Sequence, residues 1–111
     1  MKVFVWTDRD LDGAGCVLAL KWLLKDKCTK FEFKSIEDRN FTGTFKGWLP
    51  AEDEYDKIFI TDVQVPDELV SIVDTQKYVI IDHHKSHIDV KDRYKRAKVI
   101  LKEYESATKL I

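Results

Sequence analysis

Apolar residues along this chain follow two rhythms. Residues 2–7, KVFVWT, are rich in β-branched and aromatic side chains and stop at a polar cluster, which predicts a buried strand. From Gly13 to about Lys25 the period changes. GAGCVLALKWLLK is apolar around most of its circumference and built from good helix formers, so it predicts a helix buried on more than one side, with Asp12 as N-cap. Residues 30–35, KFEFKS, alternate polar residues with Phe and predict an edge strand with one solvated face. KIFIT at 57–61 and YVII at 78–81 are nearly continuous apolar runs, the pattern of central strands covered on both faces. Between them, VPDELVSIVDTQ places Pro66 near a helix start and Leu69, Val70 and Val73 on one face. AKVIL at 97–101 reads as the last strand, and SATKLI as the first turns of a helix capped by Ser106. In the middle segment, 36–56, Phe45, Trp48 and Leu49 have helical spacing before Pro50 interrupts it. Those aromatics read as packing residues rather than as a base-stacking platform.

Strands alternating with helices predict an α/β domain: a mainly parallel sheet of about five strands, Rossmann-like, with helices on both faces and right-handed crossovers. In such a sheet the loops that follow the strands gather at one edge, where ligands bind. Here those loops carry unusual residues. TDRDLDGAG after the first strand brings Asp8, Asp10 and Asp12; ITDVQVP after the third brings Asp62; VIIDHHKSH brings Asp82, His83, His84 and His87. Neighbouring strands lie ~4.8 Å apart, so side chains from adjacent strand ends can share two ions about 3.5–4 Å apart. Taken singly, each feature has a plainer reading. The Asp-rich loop can be a turn with a helix cap, Asp62 an ordinary loop acid, and the His pair a hydrogen-bonded surface feature. His87 reads as solvated or supporting rather than ligating. Together they point to a dinuclear site, and mixed carboxylate and imidazole donors favour Mn²⁺, with Mg²⁺ as the other candidate, over a thiolate zinc site. Gly13 and Gly15 permit close backbone approach at a helix N-terminus, which suits phosphate binding as well as simple helix–strand packing.

Composition narrows the partners. The 111 residues fit one domain with one core, and 19 basic against 20 acidic residues give a net charge of −1. That excludes the broad positive field of a protein that holds nucleic acid by charge alone, so an anionic ligand needs a local device. Cys16 and Cys28 form no C-x-x-C and no disulfide framework, and no apolar stretch approaches ~18 residues. A soluble protein of the reducing cytoplasm, with no membrane partner, is the expectation.

At this point the motifs resemble a known family. VIIDHHKSH carries the Asp-His-His signature of the DHH phosphoesterases, and DRDLDGAGC is similar to their first motif. IFITDVQVP resembles the second, and ESATKLI resembles the segment that precedes their last metal-binding motif. The resemblance runs through the whole chain, residues 1–111, as an N-terminal DHH domain of RecJ-like or nanoRNase-like kind. It implies that Asp10 and Asp12 ligate one metal each, with Asp8 as an additional acid. It further implies that Asp62 bridges the ions, that His83 ligates, that His84 contacts phosphate or lies beside the metals, and that Asp82 orients an imidazole. Where some branches have a His ligand, this sequence has Trp6. The family's further metal-ligating Asp, and the C-terminal substrate-binding domain beyond it, have no counterpart in these residues. The implied site is therefore incomplete, or completed by a protein partner or by a missing domain.

The expected function is metal-dependent hydrolysis of phosphodiester bonds in a nucleotide, cyclic dinucleotide or short single strand, with two ions acidifying the attacking water. The competing expectation is a noncatalytic module that binds metal and a phosphorylated ligand, or docks on a partner.

Overall fold

In a computed structural model of the chain, residues 1–102 and Leu110 are described, with Leu11 and Asp38 described by their backbone alone. The Ser106 cap and the ESATKLI helix therefore lie outside the described residues, apart from Leu110. Five strands, β1 (Lys2–Asp8), β2 (Lys30–Ile36), β3 (Lys57–Thr61), β4 (Tyr78–Asp82) and β5 (Lys98–Leu101), form one sheet in the order β2-β1-β3-β4-β5. Every pairing is parallel. The α/β architecture and the five strands are those the sequence predicts.

The strand order explains where the helices lie. The chain first steps outward from β1 to β2 and then reverses to build β3, β4 and β5 on the other side. Because crossovers of one hand place their connections on opposite faces when the direction reverses, α1 (Leu11–Leu24) stands apart from the later helices. It packs Val17 and Leu20 on Val3 and Val5 of β1. On the opposite face lie α2 (Phe41–Trp48), α3 (Val70–Val73) and their flanking 3₁₀ turns. There Trp6 is completely buried and meets Phe41, Phe45 and Trp48 edge-on, with ring centroids 5.4–5.7 Å apart. The aromatics of the middle segment are therefore core, as their spacing suggests, and Pro50 falls in the 3₁₀ turn Leu49–Glu54 that ends α2.

Three expectations need correction. α1 is buried on one side only: Leu18 and Trp22 are each 69% exposed and Leu23 is 56% exposed, since no second layer lies outside this lone helix among the described residues. Its cap is Asp10, whose Oδ1 accepts the Gly13 N–H at 2.6 Å, so Asp12 falls within the first turn. Edge strand β2 is solvated on both faces through its middle, with Glu32, Phe33 and Lys34 all exposed, because no described helix covers that stretch. No described helix is long and apolar enough to cross a membrane.

Candidate metal centre

Strand order reverses between β1 and β3, and a crevice opens at such a switch point outside the carboxyl ends of the strands. The acids and imidazoles singled out above converge there. One group comprises Asp8, Asp10 and Asp62; another comprises Asp62, Asp82, His83 and His84, each with ligand atoms within 4.8 Å of one another. Asp62 belongs to both. Asp12 joins from the first turn of α1, its Oδ2 3.3 Å from His83 Nε2, which also lies 3.2 Å from Asp62 Oδ1.

Local structure fixes each contribution. Gly13 lets α1 start against the end of β1: a Cβ there would stand 2.0 Å from the Asp8 carbonyl oxygen and 2.7 Å from Thr7 Oγ1. This glycine thus serves close helix–strand approach, and its N–H is already taken by the Asp10 cap. Gly15 lies one step further along the helix, partly buried. Asp62 ends the β3 ladder with its N–H donating to the Ile81 carbonyl at 2.9 Å, and it adopts φ 58°. This left-handed conformation is uncommon outside glycine, though Asp tolerates it better than most residues. It is the sole non-glycine residue of positive φ among the described residues.

The electrostatics of Asp62 are unfavourable as they stand. Its side chain is completely buried, and Oδ2 has no hydrogen-bond partner among the described residues. Burial, followed by the neighbouring Asp10, Asp12 and Asp82 carboxyls, pushes its pKa up to about 9. A buried carboxylate among like charges costs free energy unless a cation shares the space. The donor set, carboxylate oxygens with imidazole nitrogens and no thiolate, therefore fits a divalent ion.

Asp82 presents the opposite case. Oδ1 accepts the His83 N–H at 2.8 Å and lies 2.7 Å from His84 Nδ1, while Oδ2 lies 2.9 Å from His87 Nδ1. Burial alone would raise this carboxyl, but His87, His84 and the His83 N–H outweigh it and hold the pKa below the ordinary carboxylate value. With Nδ1 engaged, the other ring nitrogen of His84 is turned toward Asp62, 3.9 Å away. His87 is neither solvated nor within the ligand groups. It is wholly buried, with Nε2 3.0 Å from the Tyr94 hydroxyl, and Arg93 Nη2 donates to that same hydroxyl at 3.0 Å. Arg93 also bonds Asp67 Oδ1 at 2.6 Å and the Val65 carbonyl. A brace of four side chains, from Arg93 through Tyr94 and His87 to Asp82, thus stands behind the His pair. Sequence reasoning missed Tyr94 and Arg93, which sit in a polar stretch without periodicity. Trp6 points into the aromatic core, away from the ligand groups.

Comparison with protein-family models returns one described as the DHH family, N-terminal domain, matching residues 2–111. No curated protein and no solved structure matches the chain.

Proposed function

Since the chain belongs to the DHH family, whose members are generally phosphoesterases that bind divalent metals, we propose that the carboxyl-edge cluster is a phosphodiesterase site for nucleotides, cyclic dinucleotides or short single strands. The observation that carries this reading is Asp62: it is shared by both candidate ligand groups, buried, and left with one oxygen unpartnered among the described residues. Asp8 and Asp10 would hold one Mn²⁺ or Mg²⁺ together with Asp62. Asp12, Asp62 and His83 would hold the second. When bound, such ions supply Lewis acidity to the phosphoryl group and acidify the attacking water.

The chain's own residues do the rest. Asp62 holds both halves of the site at one carboxylate and sets their spacing. Asp82 fixes the ring plane of His84 through Nδ1, so that Nε2 faces the cluster, where it donates to a phosphate oxygen when both ring nitrogens carry a proton. Capping by Asp10 anchors the start of α1, which keeps Asp12 within reach of His83.

Mn²⁺ titration of the whole chain, by calorimetry and by electron paramagnetic resonance, tests the ligand set. Two bound ions with spin coupling support it, whereas absence of Mn²⁺ binding overturns it. Hydrolysis of a short oligonucleotide then separates an enzyme from a noncatalytic metal- and phosphate-binding module, which would bind Mn²⁺ and a nucleotide without turnover. Compartment and any partner that completes the site remain part of the same proposal: a cytoplasmic protein, with a further domain or protein closing over the substrate.

A further inference from the structure

Beside the metal cluster, on the α2 side of edge strand β2, the ends of β1 and β2 and the start of α2 enclose an open cleft of about 520 Å³. Arg9, Lys34 and Arg39 line it, with Asn40 and Thr44 as neutral polar groups. Glu37 is the single carboxylate among its described lining side chains; it bonds Arg39 Nε at 2.7 Å and lies 3.9 Å from Arg9 Nη1. The lining therefore carries three cations against one anion, in a chain whose net charge is −1. The cleft is tied to the cluster directly: the Arg9 N–H donates to Asp8 Oδ1 at 2.7 Å, and Ile36, which lines the cleft, pairs with Asp8 in the β1–β2 register.

We infer that this cleft is a subsite for a second phosphate of the substrate, adjacent to the phosphate held at the carboxyl-edge cluster. It gives the chain a preference for ligands of dinucleotide size or longer over mononucleotides. The inference rests on the phosphodiesterase reading and names the side on which the strand continues. An acidic cluster repels the flanking phosphates of a polyanion even when metal ions neutralise the phosphate at its centre. A local group of cations on one side offsets that repulsion and sets the direction of the strand without a broad positive field. Arginine pairs its planar fork with phosphate oxygens, and lysine adds a point charge. The described cleft lining contains no aromatic side chain, so recognition falls on phosphate rather than on a stacked base.

Gly43 provides a test that leaves charge untouched. It lines the cleft on α2, and a Cβ added there meets nothing within 4 Å, so Gly43→Gln narrows the cleft without disturbing the helix. Gly47 is equally open and does not line the cleft, which makes Gly47→Gln the control. Binding of the 5′-phosphorylated dinucleotide pTpT and of thymidine 5′-monophosphate would be measured on the whole chain, with and without Mn²⁺. In Lys34→Ala/Arg39→Ala and in Gly43→Gln, affinity for pTpT should fall about tenfold, as expected for lost charge-assisted contacts, while the mononucleotide changes by less than about twofold. Gly47→Gln should bind both ligands as the natural chain does. Equal losses for the two ligands, or natural binding of pTpT no tighter than that of the mononucleotide, would overturn the subsite. Mononucleotide binding that ignores Mn²⁺ would instead overturn the metal-site reading, while the cleft would still be scored by the effect of the double variant on pTpT in metal-free buffer.

Discussion

Asp62 and Asp74 are loop aspartates at opposite edges of one sheet, and the structure treats them in opposite ways. Asp74, at the amino edge after α3, accepts the N–H groups of Lys95, Arg96 and Ala97 at 2.7–3.0 Å and so fastens the chain just ahead of β5. Slight burial raises its pKa, but those three donors and the Arg96 charge outweigh it, and the carboxyl is held below its ordinary value. Asp62, at the carboxyl edge, is buried with one oxygen unpartnered among the described residues and a pKa pushed up to about 9. The first acid is satisfied by the fold; the second keeps one buried oxygen without a hydrogen-bond partner among the described residues. That difference separates a structural acid from a candidate ligand more sharply than position in a loop does.

The largest effect should come from Asp62→Asn. Removing the shared charge should weaken Mn²⁺ binding beyond the ~10–100-fold typical of losing a supporting group. The same substitution should stabilise the metal-free chain by roughly 0.5–2 kcal/mol at neutral pH, as often happens when a functional site is relieved of strain. The sign follows from linkage. Because the folded pKa of Asp62 is raised to about 9, the folded metal-free chain keeps a proton that the unfolded chain gives up near ~3.9, so this group's contribution to stability falls as pH rises between those values. Thermal melts in chelator across that window should show the slope in the natural chain and its flattening in the Asn variant. A destabilised Asn variant that binds Mn²⁺ normally would make Asp62 another Asp74.

The frame that holds the carboxyl edge in place offers the next two effects. Gly13→Ala places a methyl group 2.0 Å from the Asp8 carbonyl oxygen, so α1 must withdraw from β1. A loss of roughly 1–3 kcal/mol is expected, as for other overpacked sites, together with weaker Mn²⁺ binding as Asp10 and Asp12 move. Gly43→Ala, at an open helical position, should instead gain about 0.4–1 kcal/mol. Tyr94→Phe removes the hydroxyl that joins Arg93 to His87, at a cost of about 1 kcal/mol. With Asp82 less firmly held, Mn²⁺ affinity should fall about tenfold, although Tyr94 lies outside both ligand groups. Urea unfolding and calorimetry on the same samples would read both quantities.

Much of this architecture is legible in the sequence because apolar runs declare strands directly. KIFIT and YVII are buried central strands, and the residues that follow them fall at the carboxyl edge by topology alone. For the same reason Asp8, Asp10, Asp62, Asp82, His83 and His84 could be expected to meet, and they do. What the pattern cannot convey is which apolar positions lack a neighbour. Leu18, Trp22 and Leu23 look as buried as Val17 and Leu20, and their exposure depends on how many elements cover one face. Periodicity is equally silent on polar partners brought together by tertiary packing. KDRYKR shows no reason to place Tyr94 against His87, and the cap of α1 differs from expectation by two residues because Asp10 and Asp12 are both adequate capping residues.

The smallest effect concerns Asp74 and tests the other side of the comparison. Asp74→Asn keeps the shape of the side chain but gives up the charge and one of the two acceptor oxygens, so the three N–H groups ahead of β5 lose a charge-assisted partner. The carboxyl is partly exposed to solvent, so screening reduces the loss to roughly 0.2–1 kcal/mol. Its pH dependence should run opposite to that of Asp62. A carboxyl whose folded pKa is lowered contributes stability that is present above its unfolded value of ~3.9 and disappears as pH falls through the folded value. The Asn variant should therefore be slightly less stable than the natural chain at pH 7, and the gap should close on acidification below about pH 4. Mn²⁺ affinity should be unchanged, because Asp74 lies at the edge opposite the ligand groups. A gap that persists undiminished into acid would assign the loss to shape rather than charge, and the contrast between the two aspartates would then rest on Asp62 alone.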